Sequence, residues 1–171
     1  PHIVGVYLNG ECTVSAYSFN GLSNCSHLVL GADCNLHSSL LFSEIEGVLE
    51  VYCDVEDWVT FSNCSFQKVI LNCDGGTFNA NGLKTKELIV NGNKQTISDF
   101  YNSKGILDTV TFNGTNITVG EKCFQNCSLI REVDFTKVGV VGNNAFKGTN
   151  ITEIKGLDCV SIGFQAFYDT P

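Results

Sequence analysis

The sequence predicts a solenoid: about eight coils of roughly 21 residues, with a curved parallel β-sheet on one face and short irregular or 3-10 segments on the other. Two observations carry this. A short motif (apolar, any, apolar, then a small residue or Asn) recurs down the chain, starting at Val6, Leu28, Leu49, Val69, Leu88, Val110, Val133 and Ile154, at intervals of 19 to 23 residues. A second set of anchors runs between these starts at Phe19, Leu41, Phe61, Phe78, Phe100, Phe124, Phe146 and Phe167, at intervals of 17 to 24. Two ladders in step over the whole chain specify one repeating unit, and a period near 21 is too short for a unit of paired helices.

Each element follows from the alternation of side chains along a strand. The first and third motif residues, such as Val69 and Leu71, point inward, and a single coil cannot bury them. Stacking parallel strands about 4.8 Å apart places like residue over like residue, and the Phe row closes the opposite wall of the core. Asn9, Asn72, Asn91 and Asn113 end four of the motifs, where an amide can satisfy both its own turn and the next coil. Gly120, Gly142 and Gly163 each stand four residues before a Phe anchor, which predicts a repeated tight bend.

Composition narrows the function. The 171 residues are 43% hydrophobic, enough for a core, and carry a net charge of -8, the wrong sign for a phosphate backbone or an anionic membrane. No nucleic-acid partner and no membrane insertion are expected, since no apolar run approaches the roughly 18 to 20 residues of a spanning helix. The chain starts at Pro1 and stops at Pro171, midway through a coil with no polar capping unit. The expectation is a single array over 1–171 that forms part of a longer chain or associates end to end.

The C-terminal third is the most regular. Val119-Gly-Glu-Lys-Cys-Phe-Gln-Asn-Cys-Ser-Leu-Ile-Arg-Glu-Val-Asp-Phe135 is followed by Val141-Gly-Asn-Asn-Ala-Phe146 and Ile162-Gly-Phe-Gln-Ala-Phe167. These units resemble the BspA type of leucine-rich repeat, with Asn, Gly or Thr where that family usually has Pro after the strand. The resemblance implies a leucine-rich-repeat solenoid, secreted or displayed on the cell surface of a bacterium or mucosal protist. It also implies a family associated with adhesion to host matrix or cell-surface proteins.

On that reading the chain is a non-enzymatic, extracellular protein-binding module that uses the outward residues of the sheet. Alternation nominates Tyr7, Val29, Glu50, Tyr52, Lys68, Ile70, Ile89, Thr111, Glu132, Asp134 and Lys155 as the binding face. Val29, Val48, Ile70 and Ile89 would form an apolar stripe of the kind that marks an interface. The alternatives are a spacer that displays another domain, and a parallel β-helix enzyme acting on polysaccharide, for which Arg131 is the one arginine.

No cofactor, metal or catalytic residue is expected. Glu44, Glu46, Glu50, Asp54, Glu56 and Asp57 cluster beside Trp58 but lack a loop that would converge them on Ca²⁺. They suggest a solvated acidic edge, with Trp58 partly buried in the core. The nine cysteines contain no C-x-x-C pair and suggest no zinc site. Cys12 with Cys34, and Cys53 with Cys73, fall at matching places on adjacent coils and are candidates for cross-coil disulfides. Cys64 and Cys127 occupy inward positions and are expected to pack as small hydrophobes.

Overall fold

The computed structural model describes residues 3–15, 18–19, 21–36, 41–159 and 161–171. Its strands are β1 (Gly5–Leu8), β2 (Cys12–Val14), β3 (His27–Leu30), β4 (Cys34–Leu36), β5 (Leu41–Ser43), β6 (Glu46–Val51), β7 (Thr60–Ser62) and β8 (Ser65–Leu71). They continue with β9 (Thr77–Asn79), β10 (Lys84–Val90), β11 (Thr96–Ser98), β12 (Thr109–Phe112), β13 (Ile117–Val119), β14 (Val138–Val141) and β15 (Ser161–Ile162). Among the described residues, helix is confined to one 3-10 turn, Phe100–Ser103. The chain is a parallel β-solenoid of about seven turns.

The main sheet has six strands in the order β1-β3-β6-β8-β10-β12. Its register is the one the motif spacing demands: Val6 pairs with Leu28, Leu28 with Leu49, Leu49 with Val69, Val69 with Leu88, and Leu88 with Val110. Leu28, Leu49, Val69 and Leu88 are fully buried, each contributing about 1.5–3 kcal/mol by leaving water. Adjacent strands can occupy that interior only in register, because a slip of one residue would turn every apolar side chain out.

The opposite wall is more regular than short irregular segments. β15-β14-β13-β11-β9 form a second parallel sheet of five strands, and β2 with β4 and β5 with β7 make two shorter parallel pairs. The phenylalanines stack inside it with ring centroids 5.1 to 6.1 Å apart from Phe19 to Phe167. Two members of the row differ from expectation. The second coil contributes Phe42, fully buried between Phe19 and Phe61; the side chain of the expected anchor, Leu41, lies outside what the structure describes. Phe78 pairs through its backbone with Val55 and Ile97 while its ring enters the Phe row, which accounts for the short interval after Phe61.

The glycine ladder also has a different cause from a tight bend. None of Gly120, Gly142 and Gly163 has positive φ. A Cβ at Gly142 would come within 2.7 Å of the Gly120 carbonyl carbon, and one at Gly163 within 2.6 Å of the Gly142 carbonyl carbon. The side-chain hydrogen lets successive backbones touch.

The main sheet ends at β12, earlier than the eight-coil motif implies. Beyond it, Asp134 and Lys155 make a single parallel bridge. Among the described residues no backbone hydrogen bond joins 109–113 to 131–136. The Asp134 carboxylate accepts the Thr136 N–H at 2.9 Å, a local bond that competes with strand pairing. The second sheet runs on through this joint, with β13 paired to β14 across a register shift at Ile117/Thr118. The sixth and seventh coils are therefore held on one wall and splayed on the other.

All nine cysteines are free thiols. Cys12 and Cys34 are register partners, with their sulfurs 3.3 Å apart. Cys53 and Cys73 each follow the paired residues Val51 and Leu71 by two. Cys64 and Cys127 are fully buried. Trp58 is not in the core: it is 47% exposed, with its indole N–H donating to the Leu36 carbonyl at 3.3 Å. In the interior, Gln95 is fully buried with both amide atoms unpartnered among the described residues.

Three outcomes are expected. Gly142→Val should destabilise the array by about 1–3 kcal/mol through backbone overpacking, seen as a lower denaturant midpoint. Burial pushes Cys64 up to about 11 and Cys53 and Cys127 up to about 12, against an ordinary value of 9.0. The unfolded chain then releases these protons first, so the stability they confer is complete below pH 9 and is lost as pH rises toward 12. Denaturant midpoints should fall over that window, and fall less in Cys64→Ala/Cys127→Ala. Finally, alkylation followed by mass spectrometry should modify Cys12 and Cys159 in the native protein, but Cys64, Cys123 and Cys127 only after unfolding.

Candidate interaction face

The outward positions of the main sheet form three parallel rows. Register places Tyr7, Val29, Glu50, Ile70, Ile89 and Thr111 in the central row. Gly5, His27, Val48, Lys68, Glu87 and Thr109 flank it on one side. Tyr52, Asn72, Asn91 and Asn113 follow the strand ends on the other. Six of the eleven nominated residues thus share one line, with Lys68 and Tyr52 beside it. Glu132, Asp134 and Lys155 lie beyond the sheet break.

Glu50 interrupts the apolar stripe within the central row. Val29, Val48, Ile70 and Ile89, all half-buried, instead zigzag around it between two rows. The face is thus divided into a polar cluster toward the N-terminal coils and an apolar patch at its middle.

The polar cluster is a continuous hydrogen-bond chain. The Tyr7 and His27 rings meet edge to face at 5.3 Å, with Tyr7 Oη 3.3 Å from His27 Nδ1. His27 Nε2 lies 2.8 Å from Glu50 Oε1, and the Tyr52 hydroxyl donates to Glu50 Oε2 at 3.1 Å. A carboxylate only accepts, so the imidazole places its Nε2 proton toward Glu50. Burial and the Glu50 carboxylate push the Tyr52 phenol above its ordinary range. Alternation identified Tyr7, Glu50 and Tyr52; His27, which joins them, was legible as an outward residue but not as their link.

Further along, Lys68 Nζ and Glu87 Oε2 pair at 3.0 Å between adjacent strands. The terminal asparagines form a ladder, Asn91 Nδ2 donating to Asn72 Oδ1 and Asn113 Nδ2 to Asn91 Oδ1, each at 2.8 Å. These bonds hold the turns of successive coils together, as their spacing predicts, and fix the polar margin of the face.

An open concavity lies at the sheet break. A groove of about 860 Å³ runs between Asp108–Asn113 on one bank and Arg131–Thr136 on the other, with Thr152, Glu153 and Lys155 at its far side. Val110 and Phe112 in its floor are 7% and 6% exposed, where Leu88 and Val90 of the preceding strand are fully buried. Lys155 Nζ is 2.8 Å from Glu153 Oε2, which raises the lysine's proton affinity. The bond from Thr136 N–H lowers that of Asp134. Both groups are charged at neutral pH.

No group of three or more His, Cys, Asp or Glu that could hold a metal occurs among the described residues. In the acidic edge, the Asp54 carboxylate instead accepts the Thr77 N–H of the next coil at 2.6 Å. No helix among the described residues is long and apolar enough to cross a membrane.

No curated protein and no solved structure matches the chain. A family model, the BspA type leucine rich repeat region, matches as six copies over residues 59–171. The coils before residue 59 continue the same sheet through β1, β3 and β6. The ladders of the fold and the six matched repeats lead to one conclusion: the chain belongs to the BspA-type leucine-rich-repeat family.

Proposed function

We propose that the protein is an extracellular recognition module that binds a protein ligand, such as a host matrix or cell-surface protein, through the outward face of its main sheet. The observation that carries this is the preorganised, uncovered character of that face. The Tyr7–His27–Glu50–Tyr52 chain holds its polar groups in place before any ligand arrives, beside the apolar patch around Ile70 and Ile89. Side chains already held by their neighbours lose little freedom on binding, and aromatic residues supply large rigid contacts. Parallel strands hold these groups at fixed separations, as a docking surface requires.

The family resemblance supports secretion or surface display and a non-enzymatic role. Repeat architecture by itself names no ligand, so the face has to be tested directly. Tyr7→Ala/Ile70→Lys/Ile89→Lys should leave the circular dichroism spectrum unchanged. The same variant should weaken binding to an immobilised panel of matrix proteins or to host cells by roughly tenfold or more, as loss of a central anchor does. Lys147→Glu, on the return side of the stack, should bind as the parent does. Equal binding by all three proteins would identify the solenoid as a spacer instead.

A further inference from the structure

We infer that the groove at the sheet break is a strand-addition site for an extended, basic segment of a partner protein, which pairs with the free edge of β12. The inference rests on the protein-binding role proposed above and assigns it a specific subsite.

Three independent features converge there. The first is an unpaired ladder. β12 pairs with β10 on one side only, and Asn113 N–H, directly after it, donates to Val90 O. Adjacent residues of a parallel strand direct their backbone groups to opposite sides. Thr109 and Thr111, of the same parity as Asn113, therefore face β10, and Val110 and Phe112 turn N–H and C=O toward the groove, where among the described residues no backbone partner meets them. An exposed edge of this kind is the template used when an extended peptide adds a strand.

The second feature is room. The two banks are splayed on this wall while the second sheet holds the same coils together behind it, giving the groove its 860 Å³. An internal sheet edge beside an open cleft admits a peptide without unfolding a coil.

The third is charge. Asp108, Glu132, Asp134 and Glu153 face Arg131 and Lys155, four carboxylates against two cations, and Lys155 is already paired with Glu153. The local excess is negative, like the chain as a whole at -8. Side chains of an added strand alternate between the floor and the solvent side. The fitting segment therefore alternates apolar residues, over Val110 and Phe112, with Lys or Arg, beside Glu132 and Asp134.

The test uses the whole chain and fluorescein-labelled acetyl-(Lys-Val)4-amide, with acetyl-(Glu-Val)4-amide and a Lys-Val peptide N-methylated at alternate residues as controls. Fluorescence anisotropy should show saturable binding of the Lys-Val peptide, at least tenfold weaker for the N-methylated peptide and undetectable for the acidic one. Glu132→Lys/Asp134→Lys should also weaken binding at least tenfold. Amide hydrogen exchange followed by NMR should slow at Val110 and Phe112 in the complex. Equal affinity for the N-methylated peptide, or unchanged exchange at both Val110 and Phe112, would reduce the interaction to charge attraction and overturn the inference. The Tyr7/Ile70/Ile89 variant separates the two proposals. If it loses matrix binding while Val110 and Phe112 gain no protection, the face stands and the groove falls. If it binds matrix proteins normally while the peptide protects Val110 and Phe112, the groove stands without the rest of the face.

Discussion

Like residues lie over like residues from coil to coil, and the structure follows from that constraint. An apolar pair such as Val69 and Leu71 has no interior of its own within one coil; it acquires one only from the coils above and below. Parallel pairing supplies the alignment, since each strand hydrogen-bonds to its neighbours while its inward side chains meet their counterparts. The same alignment arranges the phenylalanines as a stack of rings and the asparagines as a ladder of amides. Repetition in the chain thus becomes repetition in space, and the outward rows inherit that regularity. A binding face on this scaffold is positioned by backbone pairing, not by loops.

Close stacking brings its own requirements. Where backbones touch, as along Gly120, Gly142 and Gly163, the position has no space for a Cβ. Where a coil turns, a side chain from one coil satisfies the backbone of the next, as Asp54 does for Thr77 and Asp74 for Asn93. Cysteine serves the interior as a compact apolar group, with burial keeping Cys64 and Cys127 protonated. Gln95 is the exception, a wholly buried amide without a partner among the described residues.

The solenoid and its register were legible because one physical pattern, inward apolar residues once per coil, is written at every repeat. The central row of the outward face was legible for the same reason, as alternation alone locates Tyr7, Glu50, Ile70 and Ile89. What periodicity conceals is departure from periodicity. Val110 and Val133 look like any other pair of strand starts, yet the Asp134–Thr136 bond and the splayed joint interrupt the sheet between them. The entry of Phe42 into the ring row, and the double role of Phe78, are local shifts within a coil that a fixed spacing cannot resolve. The link made by His27 depends on side-chain reach between strands, and Trp58 on its anchoring to Leu36; neither is encoded in the repeat.

A rod whose coils touch only their immediate neighbours carries mechanical load in series, so its strength is that of its weakest joint. Between the sixth and seventh coils the main-sheet ladder is missing, so the pairing of β13 with β14 and the bonds from Lys122, Phe124 and Asn126 to the next coil bear what the main sheet shares at the joint between β8 and β10. Under shear or tension the rod would yield there first, dividing into two intact blocks before any individual coil unravels. The opening that exposes the β12 edge therefore also gives the array a built-in point of compliance, where force on one block reaches the other without the main sheet, through the second wall and the return segments.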